Sequence, residues 1–316
     1  MRDTILCIGE ALIDFIPNEF DKPLKKVNSF KPMVGGAPAN VSAAIAKLGG
    51  KAKLLTKVGD DAFGNKIIEE LNESGVDTSL IMIDENYDTS LAFVSLTDEG
   101  NRDFMFYRRT AADLNLKVDE LPRDIMDDVS IFHFGSVDLI NSSTKEVHNH
   151  LIKLAKLNDV LISFDPNVRL MLWNDSTLYQ DTIQEYLQYA DIVKISDDEL
   201  EFITGKNDLE DGLEYLFSLG IKQVLYTMGK NGARVYFEDL TYIEARRHNV
   251  DVVDTTGAGD AFMGTYLFFL NSMKNEGMDD KVIAYLALLL ANKCAAKSCA
   301  KYGAIASYLS AEEIEI

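Results

Sequence analysis

The chain has 316 residues, 47% of them hydrophobic, which suits one large α/β domain or one domain plus a small appendage. Its 31 basic and 51 acidic residues leave a net charge of −20, which argues against a nucleic-acid binder and disfavours anionic membranes. No run of about 18 uncharged apolar residues occurs, so no transmembrane helix is expected; the longest candidate, Val282 to Ala291, is too short.

Met1-Arg2-Asp3-Thr4 leads straight into an apolar strand with none of the design of a signal peptide, so a cytoplasmic location is expected. Ile5 to Gly9 reads as that strand, and Leu12 to Pro17 extends it past Asp14. Leu12–Pro17, the segment near Val27–Lys31 and a later hairpin do not fit one parallel sheet and read as a small separate β layer. Gly35-Gly36-Ala37-Pro38 breaks the chain, and Asn40 to Leu48 has helical periodicity ending at Gly49-Gly50. Lys53–Val58 reads as a strand and Phe63–Ser74 as a helix. Ser90–Leu96 and Asp103–Arg108 form a predicted hairpin around Asp98-Glu99-Gly100-Asn101. Strands then recur at Ile131–Phe134, Val160–Phe164, Ile192–Ile195, Gln223–Thr227 and Arg234–Phe237, mostly with helices between. Such alternation predicts βαβ units and a mostly parallel sheet covered on both faces. His148 and His150, two apart on a helix, read as surface residues. Cys294 and Cys299 read as small thiols buried on a helix, and with Cys7 they make an odd count without C-x-x-C spacing.

Val250 to Val253 reads as a β-branched strand, Asp254 to Gly259 as a small-residue turn, and the next helix starts near Asp260. Side chains this small let backbone N–H groups approach a ligand, and a helix start adds the positive end of its dipole, which together attract phosphate. A carboxylate there would repel phosphate. Asp260 makes chemical sense as a base taking a proton from a hydroxyl while Gly257, Ala258 and Gly259 stabilise a transferring phosphoryl group. The competing reading is an ordinary acid in a helix's first turn. The segment is neither a Walker A loop nor a dinucleotide fingerprint, whose third glycine position holds Phe262.

Other polar clusters follow predicted strands, where open α/β sheets bind ligands. Asp14 is suited to two neighbouring sugar hydroxyls or to a solvated turn. Gly35 and Gly36 allow backbone contact, and Asn40 offers a donor and an acceptor. In Asp165-Pro166-Asn167-Val168-Arg169, Arg169 carries a planar fork for phosphate or carboxylate. Glu199 in Ser196-Asp197-Asp198-Glu199 suits magnesium held through water, or a favourable helix start. Thr227 to Gly232, with Gly229 and Gly232 three apart, is a hairpin turn or a nucleotide-contacting loop. The helical run Lys281 to Lys301 is core, with Asn292 as the residue that would reach an adenine.

Taken together, from Ile8 to about Gly303, these segments resemble the ribokinase/PfkB family of carbohydrate kinases. Two signatures carry the resemblance: Gly36-Ala37-Pro38-Ala39-Asn40, followed by Gly49 and Gly59, and Asp254 to Ala261. The fructokinase branch looks similar at Gly9 to Phe15, Phe104 to Arg108, Asp165 to Trp173 and Lys194 to Glu199. Ser196 stands where the family's N-x-x-E motif often has Asn, a change common in that branch.

The resemblance implies a single ribokinase-like three-layer α/β domain over residues 1–316, with a mostly parallel central sheet. A small β-strand lid would come from about 11–33 and 88–110. It implies ATP-dependent phosphorylation of a primary sugar hydroxyl, O6 in fructose. Asp260 would be the general base, with Gly257, Ala258 and Gly259 as the anion hole. Asp14, Gly35, Gly36 and Asn40 would hold the sugar, Phe93 and Phe106 would come from the lid, and Arg108 and Arg169 would lie near sugar or phosphate. Lys194, Ser196, Thr227, Gly229, Gly232 and Asn292 would serve the nucleotide, and Glu199 the Mg²⁺. Many relatives bind K⁺, here at Asp254, Thr256, Ser298, Lys301 and Gly303, mostly through carbonyls. A homodimer through the lid strands is a further family-level expectation. Relatives acting on 2-keto-3-deoxygluconate share D-P-N-x-R and a lid arginine, but often carry tyrosines where this chain has Phe93 and Phe106. The same fold also serves nucleoside kinases and could serve a silent sugar sensor; the intact base and glycines disfavour the sensor.

Overall fold

A computed structural model of the chain describes residues 2–19, 22–96, 102–274 and 277–314. The predicted turn at Asp98 to Asn101 lies outside them. The N-terminal half contains β1 (Thr4–Ile8), β2 (Leu12–Pro17), β3 (Phe30–Gly35), α1 (Ala37–Lys47), β4 (Lys51–Gly59), α2 (Ala62–Glu73), β5 (Ile81–Asp84), β6 (Leu91–Leu96) and β7 (Arg102–Tyr107). The alternating part follows: β8 (Val129–Gly135), α3 (Ser143–Leu157), β9 (Leu161–Asp165), α4 (Ser176–Leu187), β10 (Ile192–Ser196), α5 (Leu200–Thr204), α6 (Leu209–Ser218) and β11 (Gln223–Thr227). The chain closes with β12 (Gly232–Phe237), β13 (Tyr242–Arg246), α7 (Ala258–Met273) and α8 (Asp280–Ser298).

Among the described residues, nine strands form the main sheet in the order β13-β12-β11-β10-β9-β8-β1-β4-β5. Strands β5 to β11 in that order run parallel; β12 and β13 turn back antiparallel at one edge. Strand β1 is buried on both faces, as a central parallel strand requires. Its Ile5 and Cys7 enter the core beneath α1, α7 and α8, while Leu6 and Ile8 enter the core on the α3 and α4 side. The order reverses around β1, between β4 and β8, which makes its carboxyl edge a topological switch point.

A second sheet, ordered β3-β2-β6-β7, lies apart from the first. Leu12–Pro17 belongs to this separate layer, as expected, and does not continue the first strand; Asp14 sits in its middle, opposite Met33 and Ala92. The small β layer is real, but its third strand begins at Phe30, not Val27. Two edge strands, β5 and β13, were not expected from the sequence.

Two further expectations fail. Val250 to Val253 form no strand; Val252 and Val253 are exposed, and β-branched residues favour a strand only where neighbours cover them. His148 is fully buried rather than on the surface. It shares an α3 face with Thr144 and Ile152, its Nδ1 lies 2.9 Å from the Thr144 carbonyl oxygen, and its ring meets Phe134 edge-on at 5.7 Å. Burial lowers its pKa to about 4. Of the thiols, Cys294 is buried as expected and Cys299 is half-buried.

Helices α1 and α7 cross at close range because Gly264 has no side chain. A Cβ there would meet the Ala44 Cβ at 2.7 Å and the Val41 carbonyl at 2.8 Å. This crossing sets the starts of both helices side by side beneath the carboxyl edge of the sheet.

Candidate active site

At the start of α7, Asp260 is buried and accepts a 2.8 Å hydrogen bond from Asn40 Nδ2 near the start of α1. Burial lifts the Asp260 carboxyl above its ordinary range, against the opposing pull of the Asn40 hydrogen bond, Lys194 and Arg169. The other Asn40 amide atom, Oδ1, is buried with no hydrogen-bond partner in the protein. Gly257 caps α7 in the left-handed conformation, φ 74°, without a side-chain cap. A Cβ on Gly257 would run into Tyr308 and meet the Ala304 Cβ at 2.6 Å. Tyr308, which sequence reasoning missed, donates its hydroxyl to the Gly257 carbonyl at 3.0 Å and steadies this turn. First-turn amides of a helix have no intrahelical acceptor, so this start can bind an anion.

Two cavities meet at this point. The smaller, about 210 Å³, is lined by Glu10, Asp14, Gly36, Asn40, Phe106, Arg108 and Asp260 among others. The larger, about 870 Å³, is lined by Ser196, Glu199, Thr227, Gly229, Gly232 and Asn292, and by the irregular stretch 247–252. Arg169, Lys194 and Gly259 line both.

The second sheet roofs the smaller cavity. Alternation along its strands puts Asp14, Ala92 and Phe106 on one face and Phe15, Phe93 and Met105 on the other. Phe93 thus turns away from the cavity, contrary to expectation: it stacks on Phe15 at 4.5 Å and 7°, and meets Phe30 and Tyr107 edge-on. Gly35 faces Asp14, and a Cβ there would overlap the Asp14 carboxylate.

Arg108 lies in the wall with its guanidinium already engaged. Its Nε donates to Asp113 at 2.9 Å, its Nη1 to the Val137 carbonyl at 3.2 Å, and its Nη2 to both Asp113 and Asp138. Glu10, another residue that sequence reasoning passed over, accepts the Ala37 N–H at 3.0 Å. Burial pushes its carboxyl up to about 7, with Arg108 opposing. The signal was an acid directly after a strand-ending glycine.

A polar row crosses the α7 side of the main sheet where apolar side chains would be the rule: His133, Ser163, Asp165 and Lys194. Lys194 Nζ pairs with Asp165 Oδ2 at 2.9 Å. Burial raises the Asp165 carboxyl to about 6 despite Lys194, and lowers His133 to about 3 with help from Lys194.

Around the larger cavity, Thr227 to Gly232 is the turn between antiparallel β11 and β12, and Thr227, Gly229 and Gly232 form part of the wall. Asn292 faces the cavity with its Nδ2 donating to the Arg246 carbonyl at 2.7 Å. Residues 253–256 lie beside 299–303: Val253 and Asp254 donate N–H groups to the Cys299 carbonyl, and Asp254 Oδ2 accepts the Gly303 N–H. The side chains of Ser298 and Lys301 turn elsewhere, to the Ala295 carbonyl and to Glu313. Among the described residues no cluster of three or more His, Cys, Asp or Glu side chains forms a metal cage. No described helix is long and apolar enough to cross a membrane.

The pfkB family carbohydrate kinase model matches residues 2–311. The chain belongs to that family. Fructokinase-1 of Zea mays is 37% identical over 314 residues, covering 99% of this chain and 97% of the relative. The fold of this carbohydrate kinase matches fructokinase from Xylella fastidiosa with bound ATP, TM-score 0.85 and 30% identity over 99% and 97% of the two chains. It also matches fructokinase from Vibrio cholerae O395 in its fructose, ADP and calcium-bound form, with TM-score 0.86 and 30% identity over 97% and 96%. The ribokinase-like architecture is thus established, and the protein is a sugar kinase.

Proposed function

We propose that this sugar kinase transfers the γ-phosphoryl group of ATP to the 6-hydroxyl of D-fructose. The observation that carries the sugar is the state of Arg108. Its donors are spent on two buried carboxylates and a carbonyl. Of the other cations lining the smaller cavity, Lys194 is paired with Asp165 and Arg169 stands at the junction with the larger cavity. Among the described residues, the sugar end therefore offers Asp14, Glu10, Asn40 and Asp260 and no buried cation left for a substrate carboxylate. That lining suits a neutral polyol better than 2-keto-3-deoxygluconate. The fructokinase relatives at comparable length support the same reading.

In this reading the larger cavity takes the nucleotide and the smaller takes the sugar. Asp260 removes the proton of the attacking hydroxyl, and the amides opening α7 meet the charge that develops on the transferring group. Arg169 and Lys194, at the junction, approach the same phosphoryl oxygens. The second sheet acts as a lid, with Phe106 and Asp14 closing over the sugar and excluding water that would otherwise consume ATP. A divalent ion bound with the nucleotide would neutralise phosphate charge; Asp197, Asp198 and Asp251 line the larger cavity outside the buried network. Potassium would sit where residues 254–256 adjoin 299–303, on main-chain oxygens, since the Ser298 and Lys301 side chains face away. Release of ADP with ATP, Mg²⁺ and K⁺ tests the proposal when fructose and 2-keto-3-deoxygluconate are compared below saturation. A higher kcat/KM for fructose is expected; preference for the keto acid overturns the argument from Arg108.

A further inference from the structure

Glu199 has a place in the structure that a magnesium role does not explain. Its carboxylate reaches in two directions. Oε1 accepts the Val168 N–H at 2.7 Å, from the loop after β9. Oε2 accepts the Ser196 N–H at 2.9 Å and the Ser196 hydroxyl at 2.8 Å, at the end of β10. Three of roughly four acceptor positions on a carboxylate are therefore taken by the protein itself. The loop it holds is an unusual one: Asn167, just before Val168, has φ 45°, a left-handed conformation that asparagine tolerates but that needs outside support. Support comes from two more groups. The Tyr179 hydroxyl accepts the Arg169 N–H at 3.1 Å, and Ser136 donates to the Pro166 carbonyl while lying 2.6 Å from that same hydroxyl. Trp173 stacks on Tyr179 at 4.5 Å and 8° behind them. At the end of this braced loop stands Arg169, which lines both cavities.

We infer that Glu199 is a positioning residue for Arg169: it clamps the β9 loop to the β10 loop, and so fixes the guanidinium at the junction of the cavities, rather than holding magnesium. The inference rests on the phosphoryl-transfer reading for its kinetic arm but not for its structural arm. Glu199→Gln keeps the size of the side chain, but its amide nitrogen cannot accept, so either the Val168 or the Ser196 N–H loses its partner and the link between the two loops is broken. Glu199→Asp is one methylene too short to span both loops.

Amide exchange on the full chain comes first. Both variants should lose protection at Val168 and Arg169, with an unchanged unfolding midpoint setting a local loss apart from misfolding. The Mg²⁺ concentration that half-saturates ATP binding should stay as in the wild type. In turnover, Glu199→Gln should lower kcat/KM about 10- to 100-fold, as misplacement of a contacting group by an ångström does. Added to Arg169→Ala it should cost no more than about a further twofold, because both changes remove one function. A several-fold rise in the Mg²⁺ requirement with protected Val168 and Arg169 amides would overturn the inference, as would losses that multiply in the double variant. If the wild type fails to phosphorylate fructose, the substrate assignment fails alone; amide exchange and Mg²⁺-dependent ATP binding still decide the clamp.

Discussion

Asp260 and Asn40 lie 220 residues apart in the chain and share one hydrogen bond. Replacing Asp260 by Asn should reduce turnover by about 10²–10⁴-fold, the usual contribution of a general base, with ATP affinity nearly unchanged by calorimetry. Near-normal turnover would remove Asp260 from the role. Asn40→Ala tests the partner. The bond it removes opposes the burial that raises the Asp260 pKa, so the acid limb of the kcat/KM profile should move to higher pH. A limb that stays in place while only KM rises would confine Asn40 to holding sugar. Asp260, its neighbouring glycines and Asn40 stood out in the sequence as candidates because small residues beside an acid at a helix start suit phosphoryl transfer; the fold adds that Asn40 and Asp260 meet. Phe93 was misplaced because hydrophobicity does not say which face of a strand meets a ligand; the β2–β6 register does, and it pairs Phe93 with Phe15. Glu10 and Tyr308 were missed because their work depends on contacts 27 and 51 residues away.

Two helices illustrate what element-level packing decides. Gly264→Val should force α1 and α7 apart at their closest contact, costing roughly 1–3 kcal/mol as overpacking does. Because Asn40 and Asp260 ride on these helices, the unfolding midpoint and kcat should fall together; a drop in one alone would separate the crossing from the site. In α3, His148 is neutral when folded and ionises with an ordinary pKa of 6.5 when unfolded. The unfolded chain then binds the extra proton, so this residue's contribution to stability is lost as pH falls from 6.5 towards about 4. Glu10 and Asp165, whose carboxyls are raised, act with the opposite sign. The comparison must therefore be differential: from pH 7 to pH 4, His148→Leu should gain about 3 kcal/mol on the wild type. A difference that is flat with pH would mean His148 is not neutral inside. The alternating strands and helices from β8 to β11 were readable because short, mostly apolar strands alternate with helical periodicity and polar turns separate them. Strands β5 and β13 escaped because edge strands are half-exposed, and Val250–Val253 misled because β-branching without cover is not a strand.

On the scale of the whole molecule, the second sheet carries Phe15, Phe30, Phe93 and Tyr107 on the face away from the smaller cavity, with Tyr107 58% and Met105 42% exposed. An apolar aromatic face of this kind suits a second copy of the chain, and sedimentation should find a dimer that Tyr107→Glu weakens. A wild type that sediments as a monomer at micromolar concentration would end that expectation. The junction where Arg169, Lys194 and Gly259 border both cavities has a thermodynamic corollary. Two ligands that touch the same groups cannot bind independently. Whatever factor saturating fructose imposes on the dissociation constant of ATP, saturating ATP must impose on that of fructose. The sign of that factor reports whether the shared cations are drawn into place by the first ligand or used up by it.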